Sequence, residues 1–508
     1  HLKLIPSIKQ SVAMAEDETS WYKQPHLIRL NLSLIFLCFY AATVGYDGSM
    51  MNSLQAFPSW MTFMNNPSSA WLGLINAIYW IAFLIACPMA AWASNFFGRK
   101  RTIYFAYIPL IIGFVLETAA QSSTVFIIGR VFLGIPSAIW VNVVPLIITE
   151  CAYPSHRSIL TSLYFCGFHV GAAISAWCAY GTRSYGTSWT WRTVCMLQLL
   201  CPVLALPGIV SCSESPRWLF ITGQGEKARQ ILINTHANGD ISSPGTQAEI
   251  LDIETTLAQE QESPVTAGYR GLISTPGNRR RLLITVTLGI FSQWVGNGVV
   301  TYYLSMVLNT IGISSVKEQT LISGCLQIWN IILAVIGANL VDRLGRRVLF
   351  LLSFALMFTS YIIITACSGS FANSGTKVVG ITVIPFLFLF YAGYDIAITP
   401  LLVAYPVEIW PYQWRGRGLS MTWMASTLAL IFNTFVNPIA LDILGWKYYF
   451  VFVAVLILYG ITVFFLYPET KGHTLEQMAV VFDRLEVEGA SLNEKTVHGT
   501  IDGTAKSV

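Results

Sequence analysis

Long apolar runs constrain this chain more than any other feature of its sequence. Each run has about 20 mostly apolar residues, the length that a helix needs to cross a bilayer. A polar stretch, 213–280, separates six runs before it from six runs after it. The runs lie at about 31–54, 71–93, 102–120, 124–147, 160–180, 191–211, 282–309, 319–341, 348–368, 378–402, 417–438 and 448–467. We therefore expect an all-α membrane protein with twelve transmembrane helices.

The charge content supports this prediction. Only 11% of the 508 residues are charged, against about 25% in an average soluble protein, which is too few to keep several soluble domains in solution. The 30 Lys and Arg and the 26 Asp and Glu leave a net charge of +4, which excludes a nucleic-acid-binding class. The ten cysteines lie mostly in apolar runs, without the spacing of a zinc site. Because no nucleophile–base pattern occurs either, we expect no enzyme, no cofactor and no metal.

Lysine and arginine are concentrated in the loops on one side of the predicted membrane. Two loops on the other side, 55–70 and 118–123, contain neither residue type. Cytoplasmic loops carry the excess of Lys and Arg, so we expect both termini and 213–280 to be cytoplasmic. The basic loops contain Arg99, Lys100, Arg101, Arg157, Arg343, Arg346, Arg347, Arg415 and Arg417.

The two sets of six runs repeat the same motifs in the same order, about 250 residues apart. A basic turn follows the second run of each half, a Glu seven residues before an Arg follows the fourth, and a Glu-containing motif follows the sixth. The copies are at 98–101 and 342–347, at 150–157 and 408–415, and at 214–217 and 468–472. Duplicated halves around a midplane site are typical of alternating-access transporters. We expect a tail over 1–30, six-helix bundles over 31–212 and 281–470, a helical linker over 213–280 and a tail over 471–508.

These motifs resemble those of the sugar porter family of the major facilitator superfamily, over about 30–475 of the chain. The ordered set comprises Gly129-Arg130, Glu150…Arg157, Glu214-Ser-Pro-Arg-Trp-Leu, Asp342…Arg347, Tyr405-Pro-Val-Glu and Pro468-Glu-Thr-Lys-Gly. A narrower likeness to fungal lactose and cellodextrin permeases rests on Gly45-Tyr-Asp-Gly-Ser, Gln293-Trp-Val-Gly-Asn-Gly and Asn437-Pro-Ile-Ala-Leu. The resemblance implies two pseudo-symmetric six-helix bundles joined by a cytoplasmic helical linker.

The resemblance also implies a cytoplasmic gate built from the repeated charges. Glu150 and Arg157 are seven residues apart and straddle a helix end, so they cannot pair along one face of a single helix. They are better placed to meet the basic loop of a neighbouring helix pair, and such contacts would latch the bundles together in an outward-facing state. The alternative is that the basic loops only orient the chain. The candidate gate residues are Arg99, Glu150, Arg157, Glu214, Arg217, Asp342, Arg346, Glu408, Arg415 and Glu469.

Three charged residues within the predicted helices are candidates for proton coupling: Asp47, Arg130 and Asp395. Placing a charge in hydrocarbon costs at least about 2.5–3.5 kcal/mol. In proton-coupled sugar porters the residues matching Asp47 and Arg130 form a proton-sensitive pair; the alternative is a static ion pair. Asp395 either lines the cavity or is only held by nearby Tyr side chains. Glu117 is expected to reach interfacial water, and His169 to make a helix–helix contact rather than to relay a proton.

Neutral hydrogen-bonding groups and aromatic rings suit a sugar, because charged groups lose hydration that an uncharged sugar does not replace. The second half of the chain supplies such groups, and the resemblance assigns several of them to sugar binding. The alternative is that the amides join helices to one another. In the fifth run Phe165 stands where the family has a polar residue. The candidate sugar-binding residues are Gln293, Asn297, Tyr302, Asn330, Asn433 and Asn437.

The sequence thus predicts a monomeric plasma-membrane transporter that moves a neutral sugar inward together with a proton. A disaccharide such as lactose or cellobiose is favoured; the alternatives are a hexose or pentose transporter, a facilitator, or a transporter-like sugar sensor. Sensors of this family often carry a long cytosolic tail, and the 36 residues after Gly472 favour transport. The expected partners are the sugar and the lipid bilayer, with no nucleic acid.

Overall fold

The computed structural model describes residues 21–262, 269–310, 313, 315–374, 377–410, 412–471 and 482. The first half contains α1 (Pro25–Gln55), α2 (Pro58–Phe63), α3 (Ser69–Phe97), α4 (Arg99–Phe105), α5 (Tyr107–Thr118), α6 (Ser123–Cys151), α7 (Arg157–Thr182), α8 (Trp189–Leu197) and α9 (Leu200–Ser211). Then come α10 (Pro216–Ile221), α11 (Gly225–His236) and α12 (Pro244–Glu262). The second half contains α13 (Pro276–Trp294), α14 (Asn297–Thr310), α15 (Val316–Leu344), α16 (Arg346–Ser374), α17 (Lys377–Ile381), α18 (Val383–Ile409), α19 (Tyr412–Leu444) and α20 (Tyr449–Leu466).

The helical stretches reproduce the predicted spans. Eleven stretches among the described residues are long and apolar enough to cross a membrane. The longest of them, Gly416–Leu466, contains both α19 and α20, which a 3-10 turn at Gly445–Tyr448 joins. Separating these two helices yields the twelve spans that the sequence predicts. The all-α membrane class is therefore confirmed.

The seventh span differs from the continuous helix that the sequence predicts over 282–309. It is broken into α13 and α14. Gly296, between the two pieces, has a φ of +107°, a left-handed conformation that residues with a side chain rarely adopt. The break leaves backbone carbonyls without helical partners at the middle of the bundle, and side chains from neighbouring helices must satisfy them.

Helices α1 and α7 cross at very short range through glycines on both sides. A Cβ on Gly171 would overlap the carbonyl oxygen of Ala42, and one on Gly45 would overlap the carbonyl oxygen of Phe168. Small residues of this kind let two membrane helices approach backbone to backbone. The crossing determines the positions of the two buried polar residues beside these glycines, Asp47 and His169.

Among the described residues, the most extensive contacts between the two halves are those of α3 with α19, α7 with α15, α7 with α18, and α1 with α14. We call the end of the bundle where α10–α12 lie the linker side, and the opposite end the far side. On the far side the halves are joined by Asn76 Nδ2, which donates to Tyr303 Oη at 3.1 Å. The backbone N–H of Ser305 also donates to Asn52 Oδ1 at 3.4 Å. These contacts cover the space between the halves from the far side.

The linker helices have a small core of their own. Leu232 of α11 packs with Ile250 and Ile253 of α12, and Phe220 and Ile233 cover this cluster. Arg229 of α11 also pairs with Glu254 of α12 at 2.6 Å. Helices α11 and α12 lie within 213–280, where the sequence predicts a helical linker, and their packing makes this segment a folded unit against the first half.

Candidate functional site

A narrow cavity of about 70 Å³ lies between the two halves, midway along the helices. The second half contributes amides, hydroxyls and aromatic rings to its wall. The first half contributes apolar and aromatic side chains together with one imidazole. From the first half come Val44, Trp80, Phe83, Val141, Phe165, Phe168 and His169; from the second come Gln293, Asn297, Tyr391, Tyr394, Thr399, Trp423 and Ser426, among others. Such a wall suits an uncharged ligand with hydroxyl groups and apolar ring faces.

A second, wider cavity of about 800 Å³ lies between the halves on the linker side. Consecutive residues of the same helices line the two cavities: Val141 and Leu402 the narrow one, Asn142 and Val403 the wide one. Several candidate gate residues line the wide cavity, namely Arg99, Glu150, Arg157, Arg217 and Glu408. The wide cavity thus adjoins the central cavity on the linker side, while contacts between the halves cover the central cavity from the far side.

Two of the predicted sugar-binding residues line the central cavity. Gln293 lies at the end of α13, where its Nε2 donates to Ser426 Oγ at 3.1 Å. Asn297 begins α14, and its Oδ1 is buried without a hydrogen-bond partner among the described residues. A buried amide oxygen without a partner is costly, and a hydroxyl donor from a ligand would satisfy it.

Asn433 lies behind the cavity wall, where its side chain bonds a backbone carbonyl at the break in the seventh span. Its Nδ2 donates to the carbonyl oxygen of Gln293 at 2.6 Å. Three tyrosine hydroxyls donate to the neighbouring carbonyls: Tyr394 to Ser292 at 2.8 Å, Tyr361 to Gly296 at 2.9 Å and Tyr391 to Asn297 at 3.3 Å. Sequence reasoning missed these tyrosines. The glycine in Val295-Gly296-Asn297 is the signal that could have indicated a broken helix, whose free carbonyls need side-chain donors.

Asn437 is a further candidate in this half, and it does not line the central cavity. Asn437 is fully buried, and its Oδ1 accepts a hydrogen bond from Tyr448 Oη at 2.9 Å. The side chain of Tyr302 lies outside the part of the chain that the structure describes. The contact of Asn433 matches the alternative in which amides join helices, whereas Asn437 bonds the turn after its own helix. The role of both in sugar binding stays a prediction.

Asp47 and Arg130 are both buried and lie side by side, but their contact differs from the predicted ion pair. Arg130 Nη1 donates to the backbone carbonyl of Asp47 at 3.3 Å, and the guanidinium lies 4.8 Å from the ring centre of Tyr79. Asp47 Oδ1 has no hydrogen-bond partner among the described residues. In this conformation, then, the guanidinium bonds the peptide of Asp47, and the carboxylate is left without a bond at this oxygen.

Glu117 is buried, which corrects the expectation that it reaches interfacial water. It is 0% exposed, and neither carboxyl oxygen has a hydrogen-bond partner among the described residues. The physical reason is the close packing of α5 on α6, where a Cβ added at Gly129 would come within 2.9 Å of the backbone nitrogen of Glu117. Because Gly129 directly precedes Arg130, this acid belongs to the same buried polar region as Asp47.

Asp395 joins the two halves through hydrogen bonds. His169 Nε2 of α7 lies 3.1 Å from its Oδ1, and Thr399 Oγ1 donates to the same oxygen at 2.8 Å. When the amide nitrogen of Asn330 faces Asp395, it lies 3.2 Å from Oδ2, and both the nitrogen and the oxygen of the amide then have hydrogen-bond partners. These partners replace the tyrosines that the sequence suggested. They also place Asn330 beside the acid instead of on the cavity wall.

The repeated motifs form the same charged network in each half. Arg99 pairs with Glu150 through Nε and Nη2, at 3.1 and 3.2 Å. In the other half Arg346 pairs with Glu408 through the same two nitrogens, at 3.0 and 2.7 Å. Glu150 thus meets the basic turn of a neighbouring helix pair, as its spacing indicates. Each of these two ion pairs connects helices within one half.

A second acid in each motif set caps the helix that starts at the basic turn. Glu214 accepts hydrogen bonds from the backbone N–H groups of Arg99 and Lys100, and Glu469 accepts from those of Arg346 and Arg347. A carboxylate at a helix N-terminus satisfies free N–H groups and favours the helix dipole. Both networks therefore tie the sixth span of a half to its second and third.

Two of the remaining gate candidates, Arg157 and Arg217, are on the linker side. Arg157 Nη2 donates to Glu249 Oε1 of α12 at 3.2 Å, and Glu249 also lies 2.7 Å from His236 Nδ1. Arg217 lines the wide cavity. The side chains of Asp342 and Arg415 lie outside the described part of the structure. The ion pair at Arg157 is thus made with the linker.

Glu469 provides a pH-dependent test of this capping arrangement. Partial burial raises its pKa, and hydrogen bonds from the N–H groups of Lys471, Arg346, Arg347 and Thr470 lower it, with a net value below the usual 4.5. A pKa lowered by folding contributes stability that is present above about pH 4.5 and is lost as the pH falls through the folded value. We expect Glu469→Gln to lower the unfolding temperature at pH 7, and this deficit to shrink as the pH approaches 4.

Thermal unfolding of the purified protein in detergent at pH 7, 5 and 4 measures this effect. Glu318→Gln is the control, because Glu318 is exposed at the start of α15. A deficit for Glu469→Gln that is the same at every pH would show that the charge of Glu469 does not stabilise the fold.

Comparison with known proteins identifies the chain. The family described as "Sugar (and other) transporter" matches residues 34–482. The chain belongs to this sugar transporter family. The MFS glucose transporter mfs1 of Aspergillus flavus is 27% identical over 485 residues, covering 89% of this chain and 90% of the relative. The high-affinity glucose transporter of Kluyveromyces lactis is 25% identical over 482 residues, covering 91% and 86%.

Solved structures show the same fold. The MFS proton:xylose symporter XylE, bound to 6-bromo-6-deoxy-D-glucose, matches with a TM-score of 0.74 at 22% identity, covering 90% of this chain and 99% of XylE. The inward open conformation of XylE from E. coli matches with a TM-score of 0.70 at 21% identity, covering 89% and 100%. This sugar transporter therefore has the fold of the major facilitator superfamily.

Family membership confirms the predicted superfamily and the class of sugar transporters. These relatives are transporters, which agrees with the expectation that the chain is not an enzyme. The two fungal relatives are named for glucose. The narrower likeness to lactose and cellodextrin permeases stays a prediction.

Proposed function

We propose that this sugar transporter carries a neutral sugar across the plasma membrane by alternating access. The observation that supports this most is the central cavity, which both halves line and which is covered on the far side and adjoins the wide cavity on the linker side. Alternating access works by rocking two repeats around such a site. Since the linker-side loops carry most of the Lys and Arg, we infer that this side is cytoplasmic and that the conformation is inward-facing.

In this proposal the moving bodies are the bundles 31–212 and 281–470. The linker 213–280 braces the cytoplasmic side, and 1–30 and 471–508 are cytoplasmic tails. Opening to the outside breaks the far-side contacts and closes the wide cavity. Closure brings Arg157 and Arg217 of one half toward Glu408 of the other, so the gate residues latch the halves in the outward-facing state. Because one chain encloses the whole cavity, a monomer is sufficient for transport.

We infer that the transported sugar is accompanied by a proton. Asp47 supports this because its carboxylate is buried, and a proton removes the large cost of a buried charge. Arg130 bonds the peptide of the same residue, so a small movement would let its guanidinium meet the carboxylate once the proton leaves. Asp395 is a second candidate acid, since its bonds to His169 and Thr399 place it between the halves.

A hexose or a pentose is the first candidate substrate. The relatives named for glucose and the fold shared with a xylose symporter support it. A disaccharide is the second candidate, because Asn297 directly precedes Gly298, a pattern that resembles the disaccharide permeases. The wide cavity of about 800 Å³ next to the central one leaves room for a second ring.

Uptake of labelled D-glucose, D-xylose and cellobiose by yeast without its own sugar transporters tests the function and selects the substrate. We expect Gln293→Ala to raise the KM for the transported sugar by about two- to tenfold, the worth of one neutral hydrogen bond. Gln121→Ala is the control, since Gln121 is exposed on the far side and should leave the KM unchanged.

The proposal fails if none of the three sugars enters the cells while the protein is present at the surface. An unchanged KM for Gln293→Ala would contradict only the role given to Gln293. Proton coupling is read from the same cells, because an uncoupler stops accumulation by a symporter and does not affect a facilitator.

A further inference from the structure

His169 is the polar side chain that the first half brings to the central cavity. Among the described residues of that half lining the cavity, the others are Val44, Trp80, Phe83, Val141, Phe165 and Phe168, whose contact surfaces are apolar or aromatic. His169 lies on α7 one turn after Phe165, so the two residues share one face of the helix. Sequence reasoning assigned it only a helix–helix contact.

The ring nitrogen Nε2 of His169 is held by the other half. It lies 3.1 Å from Asp395 Oδ1, which also accepts a hydrogen bond from Thr399. Asp395 Oδ2 accepts from the amide of Asn330 when the amide nitrogen, rather than its oxygen, faces it. With Asp395 ionised, its carboxylate acts as an acceptor only, and Nε2 of the imidazole carries the hydrogen. In the neutral ring, Nδ1 is then an acceptor.

Nδ1 of His169 is buried and has no hydrogen-bond partner among the described residues. The residue as a whole is 5% exposed. Leaving a buried acceptor unsatisfied costs free energy, whereas a donor that enters the cavity removes this cost. Sugars carry such donors on every hydroxyl. On the opposite wall of the cavity, Asn297 Oδ1 is likewise a buried acceptor without a hydrogen-bond partner among the described residues.

We propose that His169 is a sugar-binding residue whose Nδ1 accepts a hydrogen bond from one substrate hydroxyl, and that Asp395 positions the ring. This inference rests on the proposed sugar transport. It supplies the polar contact from the first half that Phe165 cannot make. It also explains why His169 and Asp395 pair across the halves, because the ring then contacts the sugar and the opposite half together.

Competition with single-deoxy sugars tests the contact directly. D-glucose, D-xylose and their deoxy analogues are titrated as inhibitors of labelled sugar uptake by wild type, His169→Leu and His169→Gln. In the wild type, one analogue should bind about tenfold more weakly than its parent, because it leaves Nδ1 unpaired. In His169→Leu the affinity difference between this analogue and its parent should vanish, while the differences for analogues that lack other hydroxyls remain. His169→Gln should retain part of this affinity difference, since the amide oxygen of Gln can accept a hydrogen bond from the sugar hydroxyl.

Asp395→Asn is expected to reduce the same affinity difference without abolishing it, because the ring stays but its carboxylate partner becomes a neutral amide, a weaker acceptor. His156→Gln is the control: His156 lies at the linker-side start of α7, outside the wall of the central cavity. If both His169 variants still bind every deoxy analogue as weakly relative to its parent sugar as wild type does, the inference is overturned. The proposal of sugar transport would then still stand. If the wild type takes up none of D-glucose, D-xylose and cellobiose, the proposed function itself fails. Should His169→Leu not reach the cell surface, His169→Gln and Asp395→Asn decide the question by the same comparison.

Discussion

Asp47→Asn is expected to abolish accumulation of sugar against its gradient and to leave exchange of sugar across the membrane running. Asn has nearly the same shape as Asp but cannot bind or release a proton. The backbone carbonyl of Asp47 still accepts from Arg130, because that bond does not use the carboxylate. The site therefore keeps its geometry and loses its coupling ion, so the internal and external sugar concentrations should become equal.

Two measurements on the same variant separate coupling from transport. Uncoupler-sensitive uptake in cells reports accumulation, and counterflow in liposomes reports exchange. Asp240→Asn is the matched control, since Asp240 is an exposed residue of the linker whose Oδ1 accepts from Ser242. If Asp47→Asn still accumulates sugar with unchanged pH dependence, the proton role of Asp47 is wrong.

Gly171→Ala is expected to remove most of the folded protein. A methyl group at this position would overlap the carbonyl oxygen of Ala42, and the overlapping atom is backbone, so a side-chain rotation cannot relieve it. Forcing α1 and α7 apart in a packed bundle costs about 3 kcal/mol or more, a large part of the stability of most proteins. It would also displace Asp47 and His169, which lie beside the crossing.

Gly181→Ala is a matched control on the same helix. Nothing lies within 4 Å of a Cβ built at Gly181, so alanine should leave the stability within about 1 kcal/mol of wild type or raise it slightly. Surface expression and size-exclusion profiles of the two variants give the comparison. Equal yields of folded protein from both variants would show that the close crossing of α1 and α7 does not hold in the molecule.

Some site features could be predicted because they depend on local pattern. The seven-residue spacing of Glu150 and Arg157 excludes a contact along one helix face, and the structure pairs Glu150 with Arg99. The duplicated motif at Arg346 and Glu408 forms the same contact in the other half. Spacing and repetition are visible in one dimension, so these partners could be anticipated before the helices were assembled.

Other features depend on which helices pack together, and sequence reasoning missed them. Glu117 lies near the end of an apolar run, which suggests contact with water, yet the packing of α5 on α6 covers it. The pairing of His169 with Asp395 joins residues from different halves of the chain. Neither neighbour can be inferred from spacing, because the residues meet only after separate helices pack together.

Sequence pattern alone is enough to predict the twelve spans, their duplicated order and the sugar transporter family. Each span can be recognised separately, because the free energy of exposing its apolar side chains to water adds up within that one helix. The tertiary structure alone decided the break in the seventh span, the tyrosines that satisfy its carbonyls and the cavity between the halves. Those features arise because buried polar groups must find partners, and the nearest partner lies on another helix.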